Sequence, residues 1–299
     1  MPNSETESPI TIQTLIGSKE INFYSKCLNS LINYSEDKIN LVLHATENLS
    51  LACKDYINKS IGNSLFKLSN SQFNEEKILD YLQKYPNCQN FRKNSIWGIE
   101  FFDPIFEIPD EQYSYYIDAD ILFIKPFNGL FDPNFIMGGA IFLKDTQWDA
   151  YSLRPWHLMG FNKKIDVVKG ITTALVCWDK SATDWDFLEW FLGQVRFHKI
   201  PEWVMPTAQA ALAAQCDAKT VQPLQIMNMY PNAEITKQTF GLHLLGSYRE
   251  KWLSNLGEYH YSNDEDPVCT QFESCEIQST IGFSIRQAKR WMNTRLNLW

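Results

Sequence analysis

The sequence has no uninterrupted apolar segment approaching the ~20 residues of a membrane-spanning helix, and none of its cysteines pair at CxxC spacing. It also lacks a Pro-, Gly- or Ser-rich linker, a low-complexity tract and an internal repeat. Positive charge is in short supply, since 27 Lys and Arg face 35 Asp and Glu for a formal net charge of −8. Each absence excludes something. No transmembrane segment is expected. Nucleic acid and anionic membranes are not expected as partners through bulk charge, so an anionic ligand would need a local device such as a metal ion or a helix N-terminus. Without a linker, one domain is expected. The seven cysteines are odd in number and scattered, and they read as reduced thiols of a cytoplasmic protein. Met1–Pro9 is polar and lacks the basic-then-apolar order of a signal peptide, so a short disordered tail is expected there.

A composition 44% hydrophobic and 21% charged is ordinary for a globular chain with a sizeable core. Ile10–Ile16 is β-branched and strand-like. Ile21–Tyr34 places apolar residues at Phe23, Cys27, Leu28, Leu31 and Ile32, a helical spacing. Ile39–Ala45 reads as a second strand, and Leu49–Ile61 as a second helix. This β-α-β-α order predicts a parallel sheet with flanking helices. Further on, residues 75–90 read as one helix, ending near Pro86. Trp97–Ile108 is apolar and punctuated by Pro104 and Pro109. Phe135–Leu143 and Ile171–Trp178 read as strands, with Gly138-Gly139 a point of close approach. Asp184–Phe197 and Pro206–Cys216 read as helices, and Phe240–Leu245 as a short strand. Phe283–Leu298 is a terminal helix whose Arg286, Lys289, Arg290 and Arg295 stand beside Trp291. It could touch a membrane surface or an anionic acceptor; the favoured expectation is a packed helix with a solvated basic face.

Tyr113–Ile124 is a nearly continuous apolar run interrupted by two aspartates. It predicts a central strand buried on both faces, with Asp118 and Asp120 pointing to the same side. Two convergent carboxylates repel one another and favour a cation. Their oxygens suit Mg²⁺ or Mn²⁺, which can also bridge a diphosphate. A bare Asp-x-Asp is common by chance; the apolar flanks distinguish this one.

With its neighbours, Tyr115-Tyr-Ile-Asp-Ala-Asp-Ile-Leu-Phe-Ile-Lys-Pro-Phe127 resembles the Asp-x-Asp strand of GT-A glycosyltransferases, most of all the glycogenin and bacterial lipopolysaccharide galactosyltransferase type. His243-Leu-Leu-Gly-Ser-Tyr-Arg-Glu-Lys-Trp252 resembles that family's late His-x-x-Gly-x-x-Lys-x-Trp segment. The resemblance implies an α/β fold with a Rossmann-like, mixed and mainly parallel sheet flanked by helices in a single domain. It spans residues 10–255, leaving 256–299 as a C-terminal extension. It implies a metal held by Asp118, Asp120 and His243, with Asp118-Ala119-Asp120 also at the donor. Gly246 is the implied close-approach glycine, and Arg249 or Lys251 the phosphate cation. Thr14 and Ile16, in the Ile10–Ser18 segment, and Glu47, after the second strand, are implied contacts of the base and ribose.

Other segments depart from the family. Ile171–Asp179 looks like its Asn-Ala-Gly strand, with Thr172 and Ala174 replacing the asparagine and glycine. Pro206–Leu212 looks like its Asp-Gln-Asp segment, but only Gln209 survives, between Ala208 and Ala210; Gln209 is the candidate to orient the donor sugar or stabilise positive charge on it. Where the family has a basic residue before the aspartates, Glu100 stands, with Arg92 and Lys93 upstream. The expected activity is transfer of a sugar, UDP-linked in the favoured case, to a glycan or other hydroxyl acceptor with retention of configuration. Trp148, Trp156 and Trp203 are candidates to stack on the acceptor. Three rival readings are a phosphohydrolase with Asp118 as nucleophile, a nucleotidyltransferase, and a non-catalytic binding protein of the same fold. The first expects a hydroxyl or valine where Ile121 and Leu122 stand, and the second a Gly-rich basic loop richer than Leu15–Lys19.

Overall fold

The computed structural model describes residues 8–45, 47–62, 65–108, 110–147, 150–159, 164–194, 201–255 and 266–296. Pro109, Trp148, residues 195–197 of one expected helix, residues 297–298 of another and most of the expected tail lie outside them.

The first three elements form where the residue spacing places them: β1 (Ile10–Ile16), α1 (Ile21–Tyr34) and β2 (Ile39–Ala45). Cys27, Leu28 and Leu31 form the buried face of α1. That helix supplies the crossover that lets β1 and β2 pair in parallel, from Ile10 opposite Ile39 to Ile16 opposite Ala45. α2 (Leu51–Ile61) is capped by the Ser50 hydroxyl, which accepts from Cys53 N. β3 (Phe66–Asn70), which the sequence reading did not anticipate, pairs in parallel with β2.

The helix expected over residues 75–90 is two helices, α3 (Ser71–Tyr81) and α4 (Pro86–Asn94). Pro86 begins α4 rather than ending its predecessor, because a proline in the first turn has no intrahelical donor to lose. α5 (Ile96–Phe106) follows and holds Pro104 within it. Then come β4 (Tyr113–Ile117), β5 (Ile121–Phe123), β6 (Phe127–Asn128), β7 (Gly139–Lys144), α6 (Pro155–Leu158) and β8 (Ile171–Asp179). The chain continues through α7 (Trp185–Leu192), α8 (Val204–Ala213), β9 (Asp217–Val221), β10 (Ile226–Asn228) and β11 (Gly241–His243). α9 (Arg249–Asn255), β12 (Val268–Cys269), β13 (Phe272–Ser274) and α10 (Thr280–Leu296) complete it.

These elements form two compact units that interleave along the chain. One is built from residues up to Phe73, Tyr115–Asp132 and Leu224–Thr270. Its strands run in the order β4-β1-β2-β3, all parallel, beside a small sheet in which β10 and β5 flank β11. The other is built from Asn74–Ser114, Pro133–Pro223 and the residues from Gln271 onward. Its strands run β13-β9-β7-β8, with β7 and β9 parallel and the outer pairs antiparallel. The fold class is therefore α/β with mixed, mainly parallel strands flanked by helices.

Gly139 opens β7 where a side chain has no room: a Cβ there would lie 1.8 Å from Asp217 O on β9. This is the close approach expected of the Gly138-Gly139 pair. Among the described residues no helix is long and apolar enough to cross a membrane.

Candidate metal site

The run expected to be one strand is broken at its aspartates. β4 ends at Ile117, β5 begins at Ile121, and Asp118-Ala119-Asp120 forms the turn between them. A charged pair cannot continue a strand that is buried on both faces. The backbone is held instead by Ile121 N donating to Asp118 O at 3.3 Å and Leu244 N donating to Asp120 O at 3.0 Å. β5 then leaves β4 behind and pairs antiparallel with β11. That register sets His243 opposite Ile121, beside the turn.

The result is a three-residue cluster. The ligand atoms of Asp118, Asp120 and His243 all lie within 4.8 Å of one another. His243 Nε2 is 3.4 Å from Asp120 Oδ1 and 4.0 Å from Asp118 Oδ2. Its Nδ1 is 2.7 Å from Asn228 Oδ1, a neighbour set by the parallel pairing of β10 and β11. An amide oxygen only accepts, so Nδ1 carries the proton and Nε2 turns its lone pair toward the carboxylates. Tyr116 donates its hydroxyl to Asp118 Oδ1 at 2.9 Å.

Electrostatics follow from this crowding. Burial and the neighbouring Asp120 charge push the Asp118 carboxyl up to about 7. Burial also raises Asp120, but the positive charges of a protonated His243 ring and of Arg249 outweigh it and hold that carboxyl below its ordinary range. Asp120 Oδ1 is buried and accepts no hydrogen bond of good geometry among the described residues. Two carboxylates, one of them with its unsatisfied oxygen, and an imidazole lone pair facing one another fit a hard divalent cation.

Arg249, at the start of α9, donates from Nη2 to Asp120 Oδ2 at 2.6 Å and from Nε to Leu244 O at 3.2 Å. Its Nη1 pairs with Glu20. The guanidinium lies over the ring of Phe23, 4.7 Å from the centroid, and beside Tyr24. Glu20, the N-cap of α1, has φ 67°, a left-handed conformation unusual outside glycine. Beneath the site, Cys27, Leu122, Ile124, Met229, Leu242, Leu244 and Trp252 form one apolar cluster. The indole of Trp252 donates to Met229 O at 3.0 Å, which fixes α9.

The other expected residues stand as follows. Lys251 donates to Pro231 O rather than to a carboxylate. A Cβ on Gly246 would meet nothing within 4 Å, so no close approach to the protein itself requires a glycine there. Thr14 and Ile16 are buried on β1. Glu47 accepts from Ser18 N at 2.9 Å and from its hydroxyl, joining the loops after β1 and β2; those hydrogen bonds hold its carboxyl below the usual range. Glu47 also lines a pocket of about 180 Å³ with Asn48, Lys54 and Ser69. In the second unit, Gln209 is buried on α8 and its Oε1 has no hydrogen-bond partner among the described residues. Arg92 is engaged elsewhere: it forms a bidentate pair with buried Asp103, both contacts 2.9 Å. Trp156 is exposed, whereas Trp203 carries Arg290 over its ring. Sequence reading missed Glu20, Asn228 and Tyr116. Of these only Tyr116, inside the aspartate motif, stood near a legible signal.

By sequence, no protein-family model and no curated protein matches the chain. Solved structures do. Mouse xyloside xylosyltransferase 1 is 11% identical with a TM-score of 0.52, over 88% of this chain and 97% of that one. An active-site mutant of LgtC is 12% identical with a TM-score of 0.52, over 85% and 98%. The galactosyltransferase LgtC bound to donor and acceptor sugar analogs is 11% identical with a TM-score of 0.50 over the same shares. The mannosyltransferase Ktr4p of S. cerevisiae is 9% identical with a TM-score of 0.44, and the chain spans 65% of its length. At such identities the likeness to the xylosyltransferase and to LgtC establishes the architecture alone: the chain has the GT-A glycosyltransferase fold.

Proposed function

We propose that the protein is a metal-dependent glycosyltransferase that moves a sugar from a nucleoside diphosphate donor to a hydroxyl acceptor. The observation that carries this reading is the convergence of Asp118, Asp120 and His243 within 4.8 Å on the GT-A fold. Asp118, Asp120 and His243 would hold Mn²⁺ or Mg²⁺, and the ion would supply Lewis-acid neutralisation of the leaving diphosphate. Arg249 adds a fixed positive charge at the same place; preorganised charge of this kind is usually the largest catalytic contribution. Asn228 holds the His243 ring in the tautomer that offers Nε2.

The favoured donor is UDP-linked, with its base end toward Glu47 and the loops after β1 and β2. Gln209 is assigned to the donor sugar, a role that its buried, unpartnered amide oxygen supports. Retention of anomeric configuration is the stereochemistry that the family resemblance implies. Seven free thiols suit a reducing compartment such as the cytoplasm.

The test is to incubate the protein with a panel of UDP- and GDP-sugars and Mn²⁺, and to follow nucleoside diphosphate release. Release that chelation stops, and that falls about a hundredfold or more in Asp120→Asn, is the expected result. Release that persists through both treatments would sink the proposal, as would an absence of release together with an absence of nucleotide binding.

A further inference from the structure

The terminal helix α10 was expected to pack on the domain with a solvated basic face. Ile281, Ile285, Met292 and Leu296 are 75%, 63%, 48% and 63% exposed, and Ala288 between them is exposed as well. At about 100° per residue these five positions fall in one stripe about 80° wide. The side toward the protein is held by other residues: Phe283 is fully buried, and the Arg290 guanidinium lies 3.5 Å from the centroid of the Trp203 ring.

Charge on this helix is one-sided. Its 17 residues include Arg286, Lys289, Arg290 and Arg295 and no acidic residue, in a chain whose net charge is −8. Lys289 borders the apolar stripe on one side and Arg295 on the other, by the same helical geometry. Trp291, 62% exposed, lies beyond Arg295, which stands over its ring. A solvent-facing apolar stripe edged by cations and a tryptophan is the pattern of a helix that lies in a membrane interface.

We propose that α10 docks the protein on an anionic phospholipid surface, with the stripe from Ile281 to Leu296 in the acyl boundary and Lys289 and Arg295 at the headgroups. The charge complementarity selects this occupant. A second copy of this net-acidic chain would offer the same cationic helix and no local acidic counterpart from it, whereas an anionic bilayer meets both the stripe and its basic borders. The inference rests on α10 alone and goes beyond the transfer reaction.

The test uses the full chain with phosphatidylcholine vesicles and with the same vesicles doped with phosphatidylglycerol. Cosedimentation with the doped vesicles only, weakened by salt, is expected. Ile281→Ser with Ile285→Ser, and separately Lys289→Glu with Arg295→Glu, should each weaken binding about tenfold or more while leaving the far-ultraviolet spectrum and thermal midpoint unchanged. These positions are exposed, so the fold does not depend on them. The proposal is overturned by three results: no binding to the doped vesicles, binding indifferent to both double substitutions, or a dimer in sedimentation that Ile285→Ser dissociates. The last would assign the stripe to a second copy of the chain.

Discussion

Arg249 and Asp120 form an ion pair of 2.6 Å through Oδ2, the oxygen of the carboxylate opposite the unsatisfied Oδ1 that faces His243. The protein therefore supplies its own positive charge to the Asp-Asp-His cluster, and Arg249 competes there with a metal. Arg249→Met should tighten Mn²⁺ binding in the absence of nucleotide, because Asp120 loses its rival cation. The same substitution should weaken UDP binding in the presence of Mn²⁺ about tenfold or more, since a charge-assisted hydrogen bond is worth roughly 1.5–3 kcal/mol. Calorimetric titration of each ligand checks this. A parallel loss of both affinities would contradict the competition.

Asn228 touches no ligand in this account, yet it orients one. Asn228→Ala removes the acceptor 2.7 Å from His243 Nδ1 and frees the ring to turn. Loss of such an orienting partner typically weakens a metal site about 10- to 100-fold. Manganese titration by electron paramagnetic resonance should show that loss, with the unfolding midpoint little changed. Asn228→Asp, which keeps the acceptor, should restore most of the affinity.

Asp179, at the end of β8, serves the fold. Its carboxylate accepts from Gly138 N at 2.8 Å, from Ser181 N at 2.9 Å and from the Ser181 hydroxyl at 2.7 Å. Burial pulls this carboxyl upward, but the hydrogen bonds outweigh it and hold it below its ordinary range. The folded state then binds this proton less readily than the unfolded chain does. The stabilisation is full above the unfolded value of about 3.9 and disappears as pH falls through the lower folded value. Asp179→Ala should cost about 2 kcal/mol at neutral pH. Urea unfolding should show that gap narrowing below about pH 4; a gap constant with pH would assign the loss to packing alone.

Gly139→Ala tests the β7–β9 contact. The added methyl would stand 1.8 Å from Asp217 O, and a backbone atom cannot swing away as a side-chain tip can. Overpacking of this kind costs about 3 kcal/mol or more. Thermal unfolding should fall sharply, while Gly246→Ala, with open space around its Cβ, should leave the midpoint unchanged.

The opening of the fold was legible because Cys27, Leu28 and Leu31 repeat at helical spacing between two β-branched runs, and both signals survive into tertiary structure. β3 was not, because Phe-Lys-Leu-Ser-Asn is short and half polar and is ordered by its pairing with β2. The turn at Asp118–Asp120 was hidden by apolar flanks that belong to two different sheets. Of the site, the two aspartates and His243 could be read from their motifs. Asn228 could not, since its role arises from strand register, and Glu20 acts through a left-handed backbone that sequence does not advertise. Arg92 stood out as a basic residue upstream of Glu100, and its pairing with buried Asp103 carries no local sign in the sequence.

The central claim is that Asp118, Asp120 and His243 bind a nucleotide diphosphate through a divalent cation. Calorimetric titration of UDP and GDP into the protein, with and without Mn²⁺, tests it most directly, with Asp120→Ala titrated alongside. The account predicts that at least one nucleotide binds only when Mn²⁺ is present and that the substitution abolishes that binding. Binding of equal strength with and without the metal, or no binding of either nucleotide under any condition, would contradict it.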